Sequence, residues 1–171
     1  GAMPPMITTV RRQPKRRAHA SNGVVVEGID SAPVRLSKCC NPVPGDDIIG
    51  FITRGQGVSI HRRDCANCRR LLSQPGNEGR CVDVEWAGKV DDSYQTTVVI
   101  TAKDRSGIVL DIAAVLNVLN AKVRTLSARD NGAGTAVTSV TLEVKDAAEL
   151  KYVMNRLSSI QGVISVARNG D

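Results

Sequence analysis

From Tyr94 onward, the apolar residues change their spacing in a fixed order. Tyr94 to Ala102 alternates, with Val98, Ile100 and Ala102 on one face. After Asp104-Arg105, Ser106 stands where a helix cap belongs, and Ile108, Ile112, Val115, Leu116 and Leu119 then recur at helical spacing. Val123 to Arg129 reads as a strand, Asp130-Asn131-Gly132-Ala133-Gly134 as a hairpin loop, and Ala136, Thr138, Val140, Leu142 and Val144 as the inner face of the returning strand. Asp146 and Glu149 stand at capping-box spacing ahead of Leu150, Val153, Met154 and Leu157, and Val163 to Arg168 is the last strand. The order is βαββαβ, the ferredoxin-like split arrangement.

The first half is less regular. Residues 3–22 are polar and basic. Short strands are expected at Val24-Val25-Val26 and Val34-Arg35-Leu36, and at Ile48–Thr53 and Val58–His61 around the turn Arg54-Gly55-Gln56-Gly57. Asp64 to Leu72 reads as a short helix, and Cys81 to Trp86 alternates as one half-buried strand. The polar stretch from Gly88 to Ser93 marks a domain boundary. The expected class is α+β, with residues 1–21 a scar and a flexible basic segment, 22–88 a small mostly-β domain, 89–93 a linker and 94–170 the βαββαβ domain.

Both cores must be aliphatic. Only Phe51, Trp86, Tyr94 and Tyr152 carry rings, against 22 valines and 11 isoleucines in 171 residues, a balance that favours strands. The shortage also excludes a platform of stacked aromatics for single-stranded nucleic acid. With 42% apolar and 23% charged residues, the composition is that of a globular chain rather than a disordered one. No apolar run approaches the roughly 18–20 residues of a membrane span, and no secretory h-region follows the start, so no membrane association and a cytoplasmic location are expected. Gly1-Ala2 ahead of Met3 reads as a protease scar, so an artificial start and a chain that is a piece of a longer protein are expected.

The chemistry-bearing residues cluster in the first half. Cys39-Cys40 is followed after twenty residues by His61-x3-Cys65-x2-Cys68. Five cysteines, an odd count without a secretory signal, argue against a disulfide framework. Thiolates and an imidazole suit Zn²⁺, which takes four such ligands tetrahedrally, and a small domain poor in rings gains from a metal staple. Buried thiols beside an ordinary histidine are the plainer alternative, and a redox pair at Cys65 and Cys68 lacks the βαβ setting such pairs use. No HExxH pattern points to a catalytic metal. Cys81 reads as a packing residue, and His19 carries no argument.

The net charge of +6 lies wholly in residues 1–90, because residues 91–171 hold 9 basic and 9 acidic residues. Arg11, Arg12, Lys15, Arg16 and Arg17 read as a solvated tail. A second group, Arg54, His61, Arg62, Arg63, Arg69 and Arg70, surrounds the cysteines, and its arginines have the planar fork that suits phosphate.

The stretch from Lys38-Cys39-Cys40-Asn41-Pro42-Val43-Pro44-Gly45-Asp46-Asp47 through Ile60-His61-Arg62-Arg63-Asp64-Cys65 closely resembles the zinc-finger domain of bacterial Rel/SpoT proteins, the stringent-response enzymes that make and hydrolyse (p)ppGpp. The βαββαβ unit with Lys103-Asp104-Arg105-Ser106-Gly107-Ile108 looks like the ACT domain that ends the same proteins. Together the resemblance covers residues 22–170. It implies a structural Zn²⁺ on Cys39, Cys40, His61 and Cys65, with Cys68, a thiol the family does not require, as the substitute ligand. It implies no enzymatic activity for this piece and a GTP pyrophosphokinase or (p)ppGpp hydrolase as its parent. The implied role is regulation of the parent's N-terminal domains, by docking on the ribosome against 23S rRNA with uncharged tRNA in the A site, and self-association off the ribosome. Arg54, Arg62, Arg63, Arg69 and Arg70 then serve RNA phosphates by shape and charge. A second expectation is amino-acid sensing. The backbone amides from Arg105 to Ile108 can receive a carboxylate, Gly107 leaves room for it and Asp104 can take an ammonium group; some members of the family are reported to answer to branched-chain amino acids. A third reading, the regulatory tail of a biosynthetic enzyme, has no place for the cysteine block.

Overall fold

The computed structural model describes residues 17–19, 22–28, 32–55, 57–87 and 93–171. The basic residues Arg11, Arg12, Lys15 and Arg16, the turn residue Gln56 and nearly all of the expected linker lie outside these.

The first domain is built from two small sheets. Strands β1 (Arg17–His19), β2 (Val24–Glu27) and β7 (Val84–Trp86) form one, in the order β1-β2-β7. Strands β3 (Val34–Leu36), β4 (Ile48–Ile52), β5 (Val58–Arg62) and β6 (Cys81–Val82) form the other, in the order β3-β5-β4-β6, with β3 and β5 parallel. Two sequence expectations are corrected here. Residues 17–19, expected in the flexible segment, pair antiparallel with β2. Cys81 to Trp86, expected as one strand, is two: β6 pairs with β4 and β7 with β2, so the chain changes sheets at Asp83. Alternation of side chains reports a pleat and is blind to which sheet the pleat joins.

The β4–β5 hairpin is buried on both faces. Ile48, Val58 and Ile60 pack with Val24 and Val26 on one side, while Ile49 points the other way into a cluster with Cys40, Cys65 and Cys68. Period 2 along β5 therefore sends Ser59 and His61 toward the cysteines. Gly50 is required in β4, because a Cβ there would lie 2.6 Å from Val82 Cγ2 and 2.9 Å from Val84 Cγ1.

The second domain has the expected topology. Strands β8 (Tyr94–Lys103), β9 (Lys122–Asp130), β10 (Thr135–Val144) and β11 (Val163–Arg168) pair antiparallel in the order β11-β8-β10-β9, with helices α2 (Ile108–Val118) and α3 (Ala147–Ser158). Val98, Ile100, Val140 and Leu142 pack under Ile112, Leu116, Leu150 and Leu157. Asp146 caps α3 by accepting the Glu149 N–H at 2.8 Å. At α2 the expected Ser106 cap is not made; the cap residue is Gly107, in the left-handed region at φ 79°, where a side chain would be strained.

The two domains are not beads on a linker. Val43 belongs to the core of the second domain, and Leu36 and Trp86 pack against that core as well. The Ala147 N–H donates to the Pro44 carbonyl at 2.7 Å, and the Tyr94 hydroxyl to the Asn22 carbonyl at 2.9 Å. Trp86 and Tyr94 meet edge to face with ring centroids 5.6 Å apart, and the Trp86 indole N–H donates to the Asp46 carbonyl at 3.1 Å. Arg168, at the end of β11, forks onto both oxygens of Asp46 at 2.7 and 2.8 Å.

Candidate metal centre

Cys39 and Cys40 lie in the tight turn after Ser37, His61 on β5, and Cys65 just before α1 (Ala66–Ser73). One ligand atom from each of the four falls within 4.8 Å of all the others, so together they could hold a metal ion. The sulfur of Cys39 lies 3.6 Å from that of Cys65, 3.9 Å from that of Cys40 and 3.4 Å from His61 Nδ1, and Cys40 Sγ is 3.9 Å from the same nitrogen. A tetrahedral ion with bonds of about 2.3 Å to sulfur and about 2.05 Å to nitrogen separates its ligands by roughly 3.8 Å between sulfurs and roughly 3.6 Å from sulfur to nitrogen. The donor set and its spacing fit such an ion.

The outer shell fits too. The Ser37 and Ser59 hydroxyls both lie 3.1 Å from His61 Nε2, which leaves Nδ1 for the sulfurs. A second partner of this kind fixes the ring and its tautomer. The Arg62 backbone N–H donates to Cys40 Sγ at 3.4 Å, a contact that favours the thiolate. Neither serine was picked out by the sequence. Ser59 carried a signal, two residues before His61 on one strand face, whereas Ser37 carried none.

Burial and the neighbouring sulfurs set the charge of the cluster. Burial pushes the Cys40 thiol far above its ordinary range, against the pull of the Arg62 N–H. Burial also raises Cys39, with the Cys65 sulfur adding to it. Burial acts the same way on Cys65, but the Cys68 N–H and the neighbouring sulfurs outweigh it and hold that thiol low. Burial keeps His61 neutral, the form that ligates. Three thiols packed this closely ionise together only beside a positive ion.

The other expected site residues are placed as follows. Cys68 is buried against Cys40, Ile49 and Cys65, and its sulfur is not among the four clustered ligand atoms; burial is the first cause raising its pKa. Arg63 is half exposed and pairs with Asp47 at 3.0 Å. Arg69 and Arg70 are exposed on α1, and Arg70 donates to Asn67 Oδ1 at 2.9 Å. Arg54 is exposed at the tip of the β4–β5 hairpin, at the opposite end of β5 from His61. Arg62 is not at the surface. It is 2% exposed, and its guanidinium donates to the Asn169 carbonyl at 2.7 Å and to Asp171 at 3.0 Å.

At the start of α2, the Arg105 and Ile108 amides already donate to the Lys103 and Arg105 carbonyls, at 2.9 and 3.3 Å. The Ile108 side chain is in the core, and Asp104 and Ser106 are exposed. The Arg105 guanidinium reaches Asp111 at 2.7 Å and the Gln161 carbonyl at 2.8 Å. These two residues line a shallow cleft of about 420 Å³ with Ala114, Val115 and Ile160. Asp111, Val115 and Ile160 were not read as site residues, since the cleft joins α2 to the segment before β11.

Residues 24–87 match the family model of the RelA/SpoT RIS domain, and residues 91–168 that of an ACT domain. A GTP pyrophosphokinase of Streptomyces coelicolor is 41% identical over 159 residues, covering 90% of this chain and 18% of that protein. A GTP pyrophosphokinase of Escherichia coli K12 is 35% identical over 158 residues, covering 91% of this chain and 21% of that protein. The chain thus spans about a fifth of the length of the curated relatives it matches. A solved ACT domain from a GTP pyrophosphokinase of Chlorobium tepidum is similar at 23% identity with a TM-score of 0.42, over 45% of this chain and 99% of that one. No helix among the described residues is long and apolar enough to cross a membrane.

Proposed function

This chain belongs to the RelA/SpoT family, as a RIS domain followed by an ACT domain, and from that premise we propose that it is the regulatory module of a cytoplasmic GTP pyrophosphokinase or (p)ppGpp hydrolase, without chemistry of its own. The carrying observation is the RIS–ACT pair itself, on one chain and packed face to face. Its Cys39, Cys40, His61 and Cys65 hold one structural Zn²⁺, which pins the Cys39-Cys40 turn to β5 and α1. The module docks on folded RNA of the ribosomal A site, with uncharged tRNA, and relays that state to the parent's synthetase and hydrolase domains. Arg54, Arg63, Arg69 and Arg70 carry the phosphate contacts. Arg62 takes no part in them while its guanidinium is enclosed.

Two measurements test this. Elemental analysis of the purified chain gives about one zinc per chain, as four clustered ligands require; absence of metal refutes the zinc. Binding to A-site-finger RNA is measured by fluorescence anisotropy at rising salt. Affinity falls steeply with salt, and Arg69→Ala with Arg70→Ala weakens it and flattens the slope by about two phosphate contacts. A double variant that binds as tightly as the parent chain removes α1 from the interface.

One observation favours a second reading, amino-acid sensing. The α2 cleft sets a guanidinium, a carboxylate and the apolar side chains of Val115 and Ile160 side by side, the three groups that a branched-chain amino acid engages. Binding requires the Arg105–Asp111 pair to open. Calorimetric titration with valine and isoleucine shows heat that Asp111→Asn abolishes; no heat at millimolar concentration ends the reading.

A further inference from the structure

Residues 168–171 run along the back of the metal centre and touch every segment that carries a ligand. The Asn169 side chain donates to the Lys38 carbonyl at 3.1 Å, just before Cys39, and Arg168 donates to the Asn41 carbonyl at 3.1 Å, just after Cys40. Arg62, next to His61, gives its guanidinium to Asn169 and Asp171 while its backbone N–H holds Cys40 Sγ. The N–H of Ala66, next to Cys65, donates to the Gly170 carbonyl at 3.2 Å. Gly170 has no room for a side chain. A Cβ there would lie 2.7 Å from the Cys39 carbonyl and 2.9 Å from Cys40 Cβ, and its φ of 89° is left-handed.

From this convergence we infer that the ACT tail is part of the support of the metal centre, so that metal occupancy and docking of the two domains form one equilibrium. The inference rests on the zinc reading above and adds what the zinc controls. Without a cation nothing bridges the four ligand atoms, and the Cys39-Cys40 turn is no longer tied to β5 and α1. The tail then loses the fixed set of carbonyls and donors it was fitted to. Linkage works in both directions: whatever pulls the tail away also loosens the metal.

A second observation concerns the polar atoms that the docked tail leaves incompletely paired. Arg168 Nε and Asn169 Oδ1 are buried without a hydrogen-bond partner, and Arg62 Nε has only the Asp64 carboxylate at 3.7 Å, all three in this one contact. Buried polar atoms left unmatched oppose the contact that buries them.

Amide exchange followed by NMR, with metal retention against a chelator, tests the coupling on this chain. The Ala66 and Ala147 amides report docking, and the Val140 amide reports the ACT sheet alone. Stripping zinc should speed exchange at Ala66 and Ala147 at least about tenfold and leave Val140 unchanged, the size expected when an outer-shell support is lost. In the other direction, Gly170→Val should release zinc to the chelator about tenfold faster. Arg168→Met, which inserts no bulk beside the cysteines, should do so in the same direction and keeps the test open if Gly170→Val fails to fold. Zinc bound at one per chain, with unchanged docking amides after stripping and wild-type retention in Arg168→Met, overturns the coupling alone. A wild-type chain that binds no zinc overturns the metal reading and the coupling with it.

Discussion

Replacing Arg168 by methionine strands a carboxylate. Arg168 binds both oxygens of Asp46 at 2.7 and 2.8 Å and the Asn41 carbonyl at 3.1 Å, with the two side chains only 11% and 9% exposed. In Arg168→Met, Asp46 keeps one strong partner, the Val43 N–H at 2.8 Å. Removing one member of a buried pair costs about 3–5 kcal/mol, and the surviving hydrogen bond argues for the low end, about 3 kcal/mol. Because Val43 sits in the same core as Ile100 and Leu150, the two domains are expected to melt in one transition. At roughly 2–4 °C per kcal/mol for a chain of this size, Tm falls by about 6–12 °C. Asp46→Asn is the partner variant, and the double variant closes the cycle with a coupling of about 2 kcal/mol. Differential scanning calorimetry with urea titration reads all four proteins. A single variant that loses less than about 1 kcal/mol, with no coupling in the cycle, would refute the claim that this pair is enclosed and holds the domains together.

Gly50→Ala forces a Cβ against Val82 and Val84 where β6 and β7 cross β4, and urea unfolding should show a loss of about 1–3 kcal/mol; an unchanged midpoint would mean that the crossing has slack. Asp146→Ala removes the α3 cap on the Glu149 N–H and should cost about 1 kcal/mol by the same assay, with Asp146→Asn nearly neutral. His61→Ala should reduce zinc content from about one per chain to near none, measured by elemental analysis; retained stoichiometry points to Cys68 as the ligand that steps in. In the chain stripped of zinc, burial lowers the His61 pKa below its ordinary 6.5, so in the window just below that value the unfolded chain binds the proton first. Stability is therefore present above about pH 6.5 and is lost as the pH falls through the folded value. Urea midpoints measured with a chelator present at two pH values across that window should differ in the parent chain and differ less in His61→Gln.

How much of this was legible depended on how local the cause was. In the ACT half each element announces itself within its own residues, through Ile108–Leu116 at helical spacing or Asp146 ahead of Leu150, and the structure keeps all six elements in order. The Gly107 cap escaped because Ser106 offers a hydroxyl by type, while the left-handed turn selects by conformation. The sheet change at Asp83 escaped because both halves obey one alternation. Residue type and spacing pointed to the cluster of Cys39, Cys40, His61, Cys65 and Cys68; which four of its atoms come together was implied by the resemblance, and the structure clusters Cys39, Cys40, His61 and Cys65. The burial of Arg62 was legible only in part, because alternation along β5 sets it on the face of Val58 and Ile60 while its partner Asp171 is 109 residues away.

Trp86 is the one indole of the chain, and it stands at the seam between the domains, its N–H on the Asp46 carbonyl and its ring against the edge of Tyr94. Asp46 is also the residue that Arg168 grips. Indole emission shifts to the red when water replaces such surroundings. The protein thus carries its own optical gauge of seam opening, a single indole that needs no label and is excited selectively at the red edge of its absorption, where Tyr94 and Tyr152 do not absorb. The same scarcity of rings that leaves the cores aliphatic leaves that signal without a second indole to blur it.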